Sequence, residues 1–205
     1  MGTLTKFSLA NVPCNVFVET GTGTGGTLRH ALHSKTFEKL YSVEIHKESA
    51  EQVRQELFAY EQVKIFNATS AHALSEIFGL LKPSDRVFFF LDAHFPGEFS
   101  KSFTGYDDIK MDNISLPLED ELSLIRAARP NCQDIIVIDN LEEGFGGIPM
   151  EMRNIDFVKR IFGDRVITKD YRHEGYLIIT PENVEFSLKP LDPWSRIKRT
   201  IRKHF

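Results

Sequence analysis

Cysteine is almost missing from the chain: Cys14 and Cys132 are the only two in 205 residues. That is too few for a disulfide framework, and neither stands at a metal-ligand spacing, so both read as small packing residues in a reducing compartment. No apolar run approaches the roughly 20 residues that span a bilayer. The opening MGTLTKFSLANVP has no apolar signal core, and Lys6 stands where a myristoylation signal wants Ser or Thr. A soluble, cytoplasmic protein is the expectation. Basic charge is also lacking over most of the chain. The formal net charge is -4, yet residues 189–205 hold Lys189, Arg196, Lys198, Arg199, Arg202 and Lys203 against Asp192 alone, so residues 1–188 are strongly acidic. An acidic body disfavours a nucleic-acid binder, which presents basic surface to phosphates. Internal repeats, low-complexity segments and Ser/Pro/Gly-rich linkers are absent too. One domain over residues 1–188, followed by a basic tail over 189–205, is the organisation these features imply.

What the chain does contain alternates regularly. Short apolar runs at 16–19, 40–45, 63–68, 86–93 and 134–139 have the character of strands buried on both faces of a parallel sheet. Helical stretches at 24–36, 47–60, 70–81 and 117–129 separate them, the last with Pro117 placed as a first-turn proline and Glu119, Asp120 and Glu121 favouring the helix dipole. Right-handed crossovers then give a doubly wound α/β sheet. After a further helix near 150–163, the runs 165–171 and 175–181 are separated by Arg172, His173 and Glu174 only, which permits nothing but an antiparallel hairpin.

The first strand runs into VFVETGTGTGGTLRH, residues 16–30. Gly21, Gly23 and Gly26 fit G-x-G-x-x-G, a pattern that serves a nicotinamide or flavin dinucleotide as readily as another adenosine cofactor. The first strand-to-helix turn of such a sheet is where ligands bind, with an acid some 20 residues on to take a ribose; Glu44 fits that place. Glu19, two residues before Gly21, is expected to face the ligand, where it would repel a pyrophosphate and attract an ammonium or sulfonium.

On these residues the chain resembles the class I S-adenosylmethionine-dependent methyltransferases: Glu19-Thr20-Gly21-Thr22-Gly23-Thr24-Gly25 matches their first motif, Glu44 their second, and the closing hairpin their last two strands. The resemblance implies a Rossmann-like, seven-stranded, mostly parallel sheet. It also implies S-adenosylmethionine as cofactor, lying over Gly21 to Gly25, with its amino group near Glu19, its ribose on Glu44 and its adenine bordered by residues 67–70. Thr20, Thr22, Thr27, Ile45, Thr69, Ser70 and Asp92 complete the implied cofactor site.

The fourth run ends Leu91-Asp92-Ala93-His94 and the fifth Ile138-Asp139-Asn140. In the strand order of this family those ends are neighbours, so Asp92, Asp139 and Asn140 would converge as oxygen donors for a hard cation such as Mg²⁺. Together with residues 117–122, this is similar to the macrocin O-methyltransferase branch, which modifies sugars. That resemblance implies His94 as the general base and Asp92 as its catalytic partner, acting on a sugar or other small hydroxylated acceptor. Where that family often has two consecutive acids, this chain has Asp139-Asn140, which weakens metal affinity but resembles the Asp-Asn pair of catechol-type enzymes.

Residues 95–116 form a connection long enough for a lid, with Phe95, Phe99, Phe103 and Tyr106 able either to stack on sugar rings or to pack the loop down. A glycine-rich segment after Asn140, residues 141–149, would form the opposite wall. His30, His33, His46 and His72 have no metal-binding partners in sequence and read as surface or capping residues. Trp194, Ile197, Ile201 and Phe205 recur at helical spacing in the tail, which suits an interfacial helix on an anionic membrane, a contact to a glycosyltransferase, or a helix docked on its own domain. Two other functions stay open: an NAD-dependent oxidoreductase, favoured by the glycines and Glu44, and a non-catalytic S-adenosylmethionine-binding subunit.

Overall fold

A computed structural model describes residues 3–93, 117–139, 156–173 and 175–191. The parallel strands are β2 (Val16–Thr20), β3 (Lys39–Glu44), β4 (Val63–Asn67), β5 (Val87–Leu91) and β6 (Ile135–Asp139). The hairpin strands β7 (Val166–Asp170) and β8 (Tyr176–Thr180) complete a seven-stranded sheet of order β4-β3-β2-β5-β6-β8-β7, antiparallel only where β8 meets β6 and β7. The order reverses between β2 and β5, which opens a crevice above their carboxyl ends. Every residue of β2, β5, β6 and β8 is buried, as expected of strands covered on both sides. Phe88, Phe89 and Phe90 show the period of two: Phe88 and Phe90 join one hydrophobic layer, Phe89 the other. Each such ring contributes about 1.5–3 kcal/mol by leaving water.

The helices α1 (Gly26–Ser34) and α2 (Lys47–Glu56) cover the first layer. The helices α3 (Ser70–Leu80), α4 (Leu118–Ala128) and α5 (Asp156–Phe162) cover the second. Pro117 is the N-cap of α4, one residue before its first turn. His46 caps α2, its Nδ1 accepting from the Ser49 amide at 3.3 Å. His30, expected at the surface, is buried instead, with Nε2 2.7 Å from the Phe7 carbonyl oxygen, because the N-terminal segment folds across α1. Cys14 is buried, its thiol pushed up to about 12 mainly by desolvation, and Cys132 is half-buried.

Among the described residues two helices lie on the first layer against three on the second, and part of the first layer has another cover. The chain ends supply it. A 3-10 turn, Thr3–Lys6, leads into β1 (Phe7–Ser8), which pairs antiparallel with β9 (Lys189–Pro190). Phe7 meets Tyr176 and His173 edge-on, Phe186 meets Phe88, and Arg172 lies over the Phe7 ring while donating to the Leu188 carbonyl at 2.6 Å. Neither two-residue strand has a period the sequence reading could detect, and Lys189 and Pro190 had been counted with the tail.

At the opposite end of the sheet from the crevice, Arg129 and Asp134 form a buried pair. Arg129 Nε and Nη2 donate to the two Asp134 oxygens at 2.5 and 2.9 Å, and Nη2 also reaches the Asp85 carbonyl at 2.6 Å. The Val87 amide takes Asp134 Oδ1 as well, at 2.9 Å. The charges are therefore paired and hydrogen-bonded, which burial demands.

Candidate functional site

The turn after β2 is built from left-handed residues. Gly21, Gly23 and Gly25 have φ of +85°, +50° and +74°, a region other residues enter only at a cost. At Gly21 the constraint is also steric, since a Cβ there would stand 2.6 Å from the Asp92 carbonyl oxygen at the end of β5. A side chain would force β2 and β5 apart where the crevice opens. The Gly21 and Thr22 amides both donate to the Val43 carbonyl, at 2.9 and 3.0 Å, so the turn is tied down on β3. Arg29 holds its far side, donating to the Thr24 carbonyl at 2.6 Å and to Glu56 Oε2 at 2.7 Å.

Glu44, last residue of β3, is buried, and both of its oxygens take backbone amides: Oε2 from Gly23 and Oε1 from His46, each at 2.8 Å. Its carboxylate thereby braces the glycine turn and the start of α2. Each carboxylate oxygen has a second acceptor direction, so it could take a further donor beside these amides. Asn67 braces the same turn, donating to the Glu44 and Ile45 carbonyls at 2.9 and 3.0 Å.

Glu19 departs from expectation. Instead of facing outward into the crevice it is buried at 1% exposure, because it still belongs to β2 and alternation turns it towards the α1 and α2 side. Its Oε1 accepts from Ser42 Oγ at 2.6 Å; its Oε2 has no partner. Desolvation pushes its carboxyl up to about 8, only partly offset by the Ser42 hydrogen bond, with Asp92 and Glu44 raising it further. At neutral pH Glu19 holds its proton, and the negative charge of the rim comes from other acids.

Glu121, treated in the sequence as a first-turn helix acid, is a second buried carboxyl. It falls at i+3 within the stripe Leu118, Glu121, Leu122, Ile125, all buried on α4. Burial pushes it up to about 7; the Ser70 hydroxyl counters this most, while Asp120 and Asp92 add to it. Its Oε1 and the neighbouring Thr20 Oγ1 have no hydrogen-bond partner. Glu19 and Glu121 thus lie on opposite faces of the sheet, each sensing Asp92. An acid interrupting an i, i+3, i+4, i+7 apolar stripe was the available signal for Glu121. For Ser42 it was the period-two relation to Glu44.

The anticipated cofactor residues divide by exposure. Ile45 and Thr69 are exposed, and Gly21, Gly23 and Asp92 half-exposed, around the crevice. Glu19, Thr20, Thr22, Gly25, Thr27, Glu44 and Ser70 are buried beneath them. Parallel pairing of β5 with β6 sets Leu91 opposite Ile138, so Asp92 and Asp139 follow at the same level on adjoining strands. His94, the segments 95–116 and 141–149, Asn140 and the tail from 192 onward lie outside the described residues. Among the described residues no three His, Cys, Asp or Glu side chains group as a metal site, and no helix is long and apolar enough to cross a membrane.

No protein-family model matches the chain, and no curated protein matches it in sequence. Its backbone does resemble solved structures. Spermidine synthase from Thermotoga maritima aligns with a TM-score of 0.52 and 12% identity, over 99% of this chain and 72% of that one. A spermidine synthase in complex with the transition-state analogue AdoDATO gives 0.51 and 13%, over 98% and 71%. A methyltransferase from Geobacter sulfurreducens gives 0.51 and 13%, over 82% and 71%. The shared feature is the fold, the Rossmann-like arrangement of methyltransferases.

Proposed function

We propose that this chain is an S-adenosylmethionine-dependent methyltransferase acting on a hydroxyl of a sugar or other small polyol, as in the macrocin O-methyltransferase branch. The observation that carries the reading is the left-handed glycine turn at the sheet's switch point, braced from below by Glu44 and closed against Asp92. Among the described residues the acids Glu44 and Asp92 border the turn and Arg29 is held on its far side by Glu56, an arrangement that suits a cationic ligand better than a pyrophosphate. That weighs against the dinucleotide alternative.

When bound, S-adenosylmethionine supplies a methyl group already carried on a good leaving group. The chain's own task is then to align the acceptor in line with that methyl and remove its proton. Asp92, half-exposed at the crevice, would orient the acceptor hydroxyl, and His94, two residues on, would take the proton as a neutral imidazole. Asp92 and Asp139, level on adjoining strands, offer two hard oxygen donors; with Asn140 they would hold Mg²⁺, which would acidify an acceptor hydroxyl. Both aspartates are hard oxygen donors of the kind such an ion prefers, Asp92 half-exposed and Asp139 buried beside it on the next strand.

Calorimetry with S-adenosylhomocysteine against NADH tests the cofactor. Labelled methyl transfer onto cell-envelope glycans, with and without chelator, tests acceptor and metal. Preference for NADH, or tight S-adenosylhomocysteine binding with no transfer to any hydroxylated acceptor, would overturn the reading. The acidity of the rim also favours a second acceptor class, amines, and a polyamine belongs in the same panel.

A further inference from the structure

Ser42 is the least expected member of the site. It lies on a central strand at 0% exposure, between the buried apolar residues Tyr41 and Val43, where an unused hydroxyl would be costly. The β2–β3 register sets it directly opposite Glu19. Its Oγ donates to Glu19 Oε1 at 2.6 Å and lies 2.5 Å from Thr22 Oγ1. Ser42 has one hydroxyl proton and gives it to Glu19, so Thr22 must donate to Ser42. The result is a directed chain, Thr22 to Ser42 to Glu19, linking the glycine turn to a buried carboxyl. It accounts for one Glu19 oxygen and leaves Oε2 without a partner.

We propose that Ser42 is a positioning residue of the cofactor site: through Thr22 it sets the seat of the glycine turn, and through Glu19 Oε1 it anchors that seat to the buried carboxyl beneath it. The inference rests on the S-adenosylmethionine reading above. The charged groups around Glu19 are Asp92 after β5, Glu44 on β3 and Arg29 on α1. None of them replaces the Ser42 hydrogen bond, which is the strongest influence favouring ionised Glu19.

The test is S-adenosylhomocysteine affinity, by calorimetry, for the full chain and its Ser42→Ala, Thr22→Val and doubly substituted variants, each checked by circular dichroism for native fold. Each single change is expected to weaken binding about tenfold, the worth of one hydrogen bond in such a chain. The double variant should be no weaker than about the singles, since the chain is already broken. Ser42→Thr, which keeps the hydroxyl, should retain affinity within about threefold. In addition, a carbon-13 NMR titration should show the Glu19 midpoint move upward in Ser42→Ala. Unchanged affinity, a fully additive double variant, or an unmoved Glu19 midpoint would overturn the proposal. If Ser42→Ala does not fold, Thr22→Val and the Ser42→Thr titration decide it. Failure of the unaltered chain to bind S-adenosylhomocysteine would instead bring down the cofactor reading, and this inference with it.

Discussion

Replacing Glu121 by Gln should change how stability depends on pH, in a direction fixed by burial. The carboxyl is displaced from the usual 4.5 to about 7. The folded chain therefore binds this proton more tightly than the unfolded chain. Between those two values the unfolded state has lost the proton while the folded state keeps it, so the free energy of unfolding falls as pH rises. The chain loses stability from about pH 4.5 upward, and the loss ends once pH passes about 7. At 1.36 kcal/mol for each pH unit, the full window is worth about 3 kcal/mol. Glutamine has the same shape and no titration. Any fixed cost of the amide beside Thr20 and Ser70 is the same at every pH and drops out of the comparison. For a chain of this length, about 3 kcal/mol corresponds to roughly 6–12 °C in Tm. Circular-dichroism melts of both proteins from pH 4.5 to 8 should show the glutamine variant gaining by that amount relative to the parent as pH rises. Parallel curves across the range would refute the reasoning and place Glu121 in contact with water.

The other predictions concern the site and the sheet. Glu19→Gln should show the same relative gain over a window reaching about pH 8, worth about 5 kcal/mol in urea unfolding; a window closing near pH 5 would contradict it. Alanine substitutions in the glycine turn should rank Gly21 above Gly25 above Gly23 in destabilisation. The added Cβ meets backbone at the first, a Val53 methyl at 2.8 Å at the second and nothing at the third, where only the left-handed strain of about 1–2 kcal/mol remains; melting temperatures check the order. Asp92→Asn should abolish methyl transfer while changing S-adenosylhomocysteine affinity less than about threefold, and simultaneous loss of both would make Asp92 a structural residue. Asp134→Ala should cost about 3–5 kcal/mol by leaving the Arg129 guanidinium buried and uncompensated, measured by urea unfolding.

The architecture was readable because its signals are local. Val87 to Leu91 and Ile135 to Ile138 are apolar throughout, and only strands covered on both faces tolerate that. Three residues cannot connect parallel strands, so the hairpin of β7 and β8 followed from its loop alone. The glycine turn was legible for a similar reason, since positive φ at Gly21, Gly23 and Gly25 is a backbone requirement written into residue type. What escaped were polar side chains whose role depends on distant partners. Glu19 is an acid at the expected position, yet its surroundings are set by Ser42 on another strand and by the helices that cover that face of β2. Glu121 looked like a dipole-favouring surface acid because Glu119 and Asp120 beside it are such residues, and only the tertiary packing of α4 against α3 turns it inward. His30 was misjudged likewise, its partner being a carbonyl 23 residues away.

The ribbon of β1 and β9 ties residues 7 and 8 to residues 189 and 190. During synthesis, β1 emerges well before residues 189 and 190 and cannot pair with β9 until they are made, and until then Phe7 and the neighbouring part of the sheet face remain open to water. The clasp is therefore the step that seals the molecule, and trimming either partner would leave an already assembled sheet with an uncovered apolar flank. Such a species would keep its secondary structure and lose solubility first.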